Sequence, residues 1–231
     1  MKPLLMLCCL LFGFSGQLAR AADWQADYAR LLAKYVIPSG VRYKDWKHNS
    51  SDVEMLQTVV EAIGKSKRDD LAFYLNAYNA WILHEVLASY PIRSIKDPVF
   101  MFFLSDRIVV GGVKMSFNHL EKDIIREKFS DPRVHFALNC ASKSCPTLAA
   151  QIYVNAKIEQ QLDRQTRLFI DSAKGVRVSE KGAEISQIFD WYKADFTGGV
   201  LAFINRYRTQ PIPETAKISF QDYNWALNDA R

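Results

Sequence analysis

Sulfur and imidazole are scarce in this chain: four cysteines and four histidines among 231 residues. Two of the cysteines, Cys8 and Cys9, fall inside an N-terminal apolar run, which leaves too few for a scaffold stapled by several disulfides. Basic clusters are missing as well. The 30 Lys and Arg against 25 Asp and Glu give a net charge of +5. These charges are scattered, and no stripe of the kind that tracks a nucleic-acid backbone is formed. Past residue 14 no apolar stretch is long and uncharged enough to span a bilayer, and the run 4–14 is itself too short. There is no internal repeat, low-complexity tract or linker, so the reading is one domain without nucleic-acid partner or membrane span.

What is present is a globular composition, 49% apolar and 13% aromatic, sufficient for a substantial core without covalent staples. Lys2, the apolar run 4–14 and Ala19-Arg20-Ala21 read as a signal peptide over residues 1–22 with cleavage near Ala21. The expectation is a single domain over residues 23–231, periplasmic or secreted.

Along that domain, Trp24, Tyr28, Leu31, Leu32 and Tyr35 share one helical face. A second helix follows an Asn-Ser-Ser-Asp cap at 49–52, with Leu56, Val59, Val60 and Ile63 on its apolar side. The stretch 71–90 is apolar in nearly every direction, the mark of a helix buried in the middle of a domain, and it carries Asn76, Asn79 and His84. At ~100° per residue, Asn76 and Asn79 lie about 60° apart and His84 about 80° to the other side of Asn76. They line a shared polar patch or, equally, fasten neighbouring loops. Residues 107–115 read as two strands around Gly111-Gly112, followed by a helix capped at Ser116. Residues 134–138 read as a central strand, because they are continuously apolar apart from His135. A short helix after Pro146, a longer one over 156–172, a hairpin around Lys181-Gly182, an aromatic cluster near Trp191 and a last helix over 200–207 complete the pass. The predicted class is α+β: a single domain with a helix-rich N-terminal half, a small mixed or antiparallel sheet and a buried central helix.

Chemistry concentrates in residues 134–146, where His135, Cys140 and Cys145 stand within eleven positions. A thiolate with a nearby base is a nucleophile, and a helix beginning at Pro146 would lower a thiol pKa through its amide end. In a strand, residues five apart point to opposite faces, so His135 meets Cys140 only if the chain bends near Asn139. His84 or His119 are the other imidazoles, and Asn76 or Asn79 could orient one or stabilise an oxyanion. Core filling, a Cys140–Cys145 disulfide, and thiol–disulfide exchange are competing readings; the last lacks the Cys-x-x-Cys pattern. A metal would need a fourth ligand from Glu121, His119 or His84. Neither metal nor cofactor is implied.

The chain resembles the family catalogued as "domain of unknown function 547". The resemblance rests on Phe73-Tyr-Leu-Asn-Ala-Tyr-Asn-Ala-Trp81, on Tyr90-Pro-Ile-Arg-Ser-Ile95, on Gly111-Gly112 with Ser116 and Leu120-Glu121, and on Asp131-Pro-Arg-Val-His-Phe-Ala-Leu-Asn-Cys-Ala-Ser-Lys-Ser-Cys-Pro146. Ser186-Gln-Ile-Phe-Asp-Trp-Tyr-Lys-Ala-Asp-Phe196 and Tyr223-Asn-Trp-Ala-Leu-Asn228 extend it. It implies no known reaction. It does imply that Cys140 is the more typical thiol and that Cys145 is replaced by Ser in some members, which argues against an obligatory bridge. The functional expectation is a thiol-dependent hydrolase or acyltransferase: Cys140 attacks, His135 or His84 takes the proton, and Asn79 or loop amides hold the oxyanion. Asn76, His84, Glu121, Ser142 and Cys145 are expected to bind a small-molecule or peptide ligand. The alternative is a non-catalytic periplasmic binding or assembly module.

Overall fold

The computed structural model describes residues 23–96 and 100–230. The signal peptide expected over 1–22 lies outside the described residues.

Helix α1 (Trp24–Tyr35) starts where the Asp23 carboxylate accepts from the Gln25 amide, and it buries the predicted face of Tyr28, Leu31, Leu32 and Tyr35. A tight hairpin, β1 (Val36–Ile37) and β2 (Gly40–Val41), leads into α2 (Tyr43–Lys47). Helix α3 (Ser50–Lys65) is capped by Asn49, whose side chain accepts from the Asp52 amide, as the cap sequence predicts. Helix α4 (Leu71–Ser89) is capped by Asp70. It is the central helix, with residues on every side of it buried. Short α5 (Phe100–Leu104) precedes the hairpin β3 (Ile108–Val110) and β4 (Val113–Met115). Gly111 and Gly112 make its turn with φ of +65° and +89°, a conformation that costs side-chain-bearing residues strain.

Ser116 caps α6 (Phe117–His119), which runs through a seven-residue π-helical segment (Leu120–Arg126) into α7 (Glu127–Phe129). Then come α8 (Val134–Ala137), α9 (Ile158–Ile170), β5 (Val176–Ser179), β6 (Gly182–Ile185), α10 (Ile188–Trp191), α11 (Val200–Tyr207) and β7 (Ile218–Phe220). Strands β5 and β6 pair antiparallel and β6 and β7 parallel, a small mixed sheet. The class is α+β.

The apolar interior has two lobes. One surrounds α4 and draws on α1 and α3. The other is largely aromatic, built on Phe136, Phe169, Phe189, Phe196 and Phe203. Residues 134–138 are the correction to the sequence reading: they are not a strand but α8 and its exit. The helix sits between the lobes, with Val134, Ala137 and Leu138 in the first and Phe136 in the second. Burial on all sides produces the same unbroken apolar run in a helix as in a central strand, so periodicity does not separate them. The discriminating signal was Asp131-Pro132. The Asp131 side chain accepts from the Arg133 amide, and a proline beginning a first turn favours a helix start. The short helix expected after Pro146 is also absent; residues 146–154 run without regular structure.

The C-terminal residues form a strap that ties distant pieces together. Val41 N–H donates to Asn228 O and Ala230 N–H to Val41 O; Leu227 N–H donates to Arg93 O, and Asn228 N–H to Ala141 O. Gly40 lies beneath this strap with φ +144°, where an added Cβ would stand 2.0 Å from the Asn228 carbonyl oxygen. Gly40→Ala is therefore expected to cost about 1–3 kcal/mol from backbone strain, read as a lower denaturant midpoint at unchanged m-value. An unchanged midpoint would show that the strap does not press on β2.

Candidate active site

The thiol loop leaves α8 at Leu138, and its first residue is the anchor. The Asn139 amide donates to the Asn79 side chain at 2.9 Å, and the Asn139 side chain donates to Pro146 O at 2.7 Å. Its carbonyl oxygen accepts from the Ala141 amide at 2.9 Å and from Asn228 Nδ2 at 3.3 Å. Ala141, fully buried, is held in the left-handed region with φ +62°. A side-chain-bearing residue reaches that conformation at a cost of roughly 1–2 kcal/mol. Both of its backbone groups are bonded, to Asn139 and to the strap. The loop is thus rigid by construction.

Cys140 and Cys145 are free thiols, Cys140 half-buried and Cys145 buried. The Cys140 amide donates to Cys145 Sγ at 2.9 Å. Cys140 Sγ lies 3.2 Å from Ser142 Oγ and 3.5 Å from the Tyr223 hydroxyl. Hydrogen bonds to the sulfur, the Cys145 thiol foremost, outweigh burial and lower the Cys140 pKa to about 7. Burial pushes that of Cys145 up. The helix that was to lower a thiol pKa from Pro146 is not there; donors within the loop and on the strap replace it.

Cys140, Cys145, His135 and Glu121 all line one cleft of about 240 Å³, with Tyr78, Tyr192, Tyr223, Trp191 and Trp225 among its walls. His135 does not hydrogen-bond either thiol. Its Nε2 meets Asp195 Oδ2 at 2.7 Å, and its ring stacks on Tyr192 at 3.9 Å between centroids. Asp195 is gripped by the Arg126 guanidinium through two bonds of 2.8 and 2.7 Å, which holds its carboxyl below the usual range. Asp195 therefore accepts, Nε2 carries the proton, and Nδ1 is the basic nitrogen. Burial lowers the His135 pKa to about 4 despite Asp195, so the ring is neutral at pH 7. Glu121 accepts from the Tyr192 hydroxyl at 2.5 Å and the Tyr78 hydroxyl at 3.3 Å, and burial raises its pKa. It rides the π-helical segment, a distortion found frequently at functional sites.

The other polar residues expected at the site are placed elsewhere. Asn79 donates to Ala137 O and accepts from Asn139 N–H. Asn76 bonds the Tyr153 backbone in both directions. These two amides fasten loops to α4, and neither is among the residues lining the cleft. His84 bonds Gln57 and Glu85 on the other side of the helix, and His119 pairs with Asp123 on the surface. Ser142 is at the thiol. Asp195, Tyr192 and Tyr223 were missed as site residues. They stood in the aromatic stretches of the sequence, but nothing local paired Asp195 with a histidine 60 positions earlier. Among the described residues no three His, Cys, Asp or Glu side chains converge as metal ligands would, and no helix is long and apolar enough to cross a membrane.

Fold and cleft together define an α+β domain in which a half-buried thiol and a carboxylate-held imidazole line one cleft. The family described as "Protein of unknown function, DUF547" matches residues 64–170, which supports the resemblance read from the sequence. The matched stretch holds Tyr78, Glu121, His135, Cys140 and Cys145; Tyr192, Asp195, Tyr223 and the two tryptophans lie beyond it. No curated protein and no solved structure matches the chain.

Two measurements check this geometry. Asn79→Leu strands the Asn139 N–H and leaves the Ala137 carbonyl with only the Tyr153 hydroxyl at 3.4 Å, and an orphaned buried group costs about 1–3 kcal/mol; a loss of stability smaller than that would mean Asn79 is not the brace. In the second, the unfolded chain protonates His135 near pH 6.5 whereas the folded one resists until about pH 4. The unfolded state then binds more protons in that window, so stability is full above it and falls as pH drops through it. His135→Gln should flatten the slope of unfolding free energy against pH between those values, and an unchanged slope would show that the buried ring does not carry it.

Proposed function

We propose that this domain is a thiol-dependent hydrolase or acyltransferase with Cys140 as nucleophile. The observation that carries the reading is a half-buried cysteine lining a cleft, its sulfur ringed by donors and its pKa lowered to about 7, with a neutral imidazole hydrogen-bonded to an aspartate in the same cleft. Much of the sulfur is ionised at neutral pH, so attack on a carbonyl carbon does not wait for a base. The Tyr223 hydroxyl, beside the sulfur, donates to the oxygen that becomes negative. The C–O or C–N bond to the leaving group breaks, the leaving group takes up a proton that solvent in the cleft delivers by way of His135 Nδ1, and a thioester to Cys140 remains. Water or another acceptor then attacks the thioester, its proton returns to solvent by the same nitrogen, and the thiolate and the neutral imidazole are restored. Asp195 takes the orienting role that the sequence offered to Asn76 or Asn79. The apolar and aromatic walls suit a small acyl or peptide ligand. Export and removal of residues 1–22 belong to the same proposal and rest on the leader-like sequence alone.

The test uses p-nitrophenyl acetate as acyl donor and iodoacetamide as thiol probe. The folded protein should give an acyl-enzyme burst that Cys140→Ala abolishes while circular dichroism and the unfolding midpoint stay close to wild type. His135→Ala should slow turnover by about 10²–10⁴-fold. Alkylation of Cys140 should rise with pH around a midpoint near 7, below the ~8.5 of an ordinary thiol. If Cys140→Ala loses stability and the burst persists, or if alkylation occurs only after unfolding, the reading is wrong and a non-catalytic binding module takes its place.

A further inference from the structure

The acyl chemistry leaves Cys145 without a task, yet its placement beside Cys140 is specific. Its sulfur accepts the Cys140 amide at 2.9 Å and reaches the Leu138 carbonyl oxygen at 3.8 Å. The turn that brings it there is closed by the Cys145 amide donating to Ser142 O at 3.2 Å. The two thiols are unequal. Cys140 is half-buried on the cleft, whereas Cys145 is 4% exposed behind it. Both residues line the cleft, Cys140 the more exposed of the two; the Cys145 sulfur is backed by the Cys140 amide and the Leu138 carbonyl. Two hydroxyls, Ser142 and Tyr223, stand 3.2 and 3.5 Å from the outer sulfur and bond each other at 3.1 Å.

We propose that Cys140 and Cys145 form a peroxide-reducing pair, in which a small hydroperoxide oxidises Cys140 and Cys145 resolves the product. The Cys140 thiolate attacks one peroxide oxygen, the O–O bond breaks, and the departing oxygen leaves as water or alcohol after taking a proton relayed through the Tyr223 and Ser142 hydroxyls. Cys140 is left as a sulfenic acid. The Cys145 sulfur then attacks the sulfenic sulfur; the S–O bond breaks, and the hydroxyl leaves as water with the Cys145 proton. The pair has lost two electrons and the peroxide has gained two. An external dithiol restores both thiols through a mixed disulfide. This activity goes beyond the acyl reading and does not depend on it, since it needs neither His135 nor an acyl ligand. The one requirement the two share is that Cys140 be reachable.

Trypsin makes the bond directly visible. It cuts after Arg133, Lys143 and Lys157, so a Cys140–Cys145 bridge would join peptides 134–143 and 144–157, apart from Cys8 and Cys9. Reduced protein is treated with hydrogen peroxide, blocked with iodoacetamide and digested without reductant. The joined peptides should appear in proportion to peroxide and separate after dithiothreitol. In Cys145→Ser, dimedone should label peptide 134–143 instead. With dithiothreitol as the dithiol, wild type should consume peroxide repeatedly, and Cys140→Ser should fall to the rate of dithiothreitol alone. Two separately alkylated peptides after peroxide, a bridge that forms only in urea, or a bridge that dithiothreitol does not open would each overturn the proposal. The ester burst of the reduced protein is read separately, so loss of either activity leaves the other interpretable.

Discussion

Asn139 is fully enclosed, and its side chain and amide make four hydrogen bonds to four different partners. One goes to the central helix, two to the thiol loop itself and one to the C-terminal strap. The strap's own Asn228 is in turn held by the Tyr43 hydroxyl at 3.1 Å. A buried amide is costly unless all of its groups are paired. This one is satisfied only when α4, the loop and the strap are in register together. That requirement couples the placement of Cys140 to elements separated by most of the chain, and it holds Ala141 in a backbone conformation that the loop alone would not adopt.

Around that brace the cleft sorts its ionisable groups by environment. Asp195 stays charged because Arg126 grips it from one side. His135, stacked on Tyr192 between the two apolar lobes, is kept neutral by burial. Cys140 is ionised more readily than a free thiol because donors surround it, whereas Cys145, deeper and shielded, is not. The outer wall is aromatic: Trp191, Tyr223 and Trp225 pack ring against ring, and Trp191 stays 46% exposed. A polar floor beneath an apolar rim is the arrangement expected of a small-ligand site.

Much of the fold is legible in the sequence where a pattern is local. The faces of α1 and α3, the apolar-all-round α4, the Gly111-Gly112 turn and the caps at Asn49 and Ser116 each follow from residues within one or two turns of one another. Residues 134–138 are not, because full burial erases the difference between periods of two and 3.6. The same loss of periodicity in α4 left open whether Asn76 and Asn79 faced a ligand or a loop. Their backbone partners, at Tyr153 and Ala137, are 77 and 58 positions away. Segment 134–146 was recognisable as the place of interest from its His and Cys content. The imidazole's true partner was not, since a carboxylate 60 residues on is one of many.

The amino-acid sequence by itself determined the residue types at the site, the central helix, the α+β class and the family likeness, because these depend on composition, short-range periodicity and linear motif. Only the tertiary structure decided that His135 answers to Asp195, that the asparagines of α4 are braces, and that the two thiols stand one behind the other with Tyr223 beside them. Those are matters of which buried polar groups find each other once two apolar lobes close, and that pairing is settled by packing across the whole chain, not by any stretch of it.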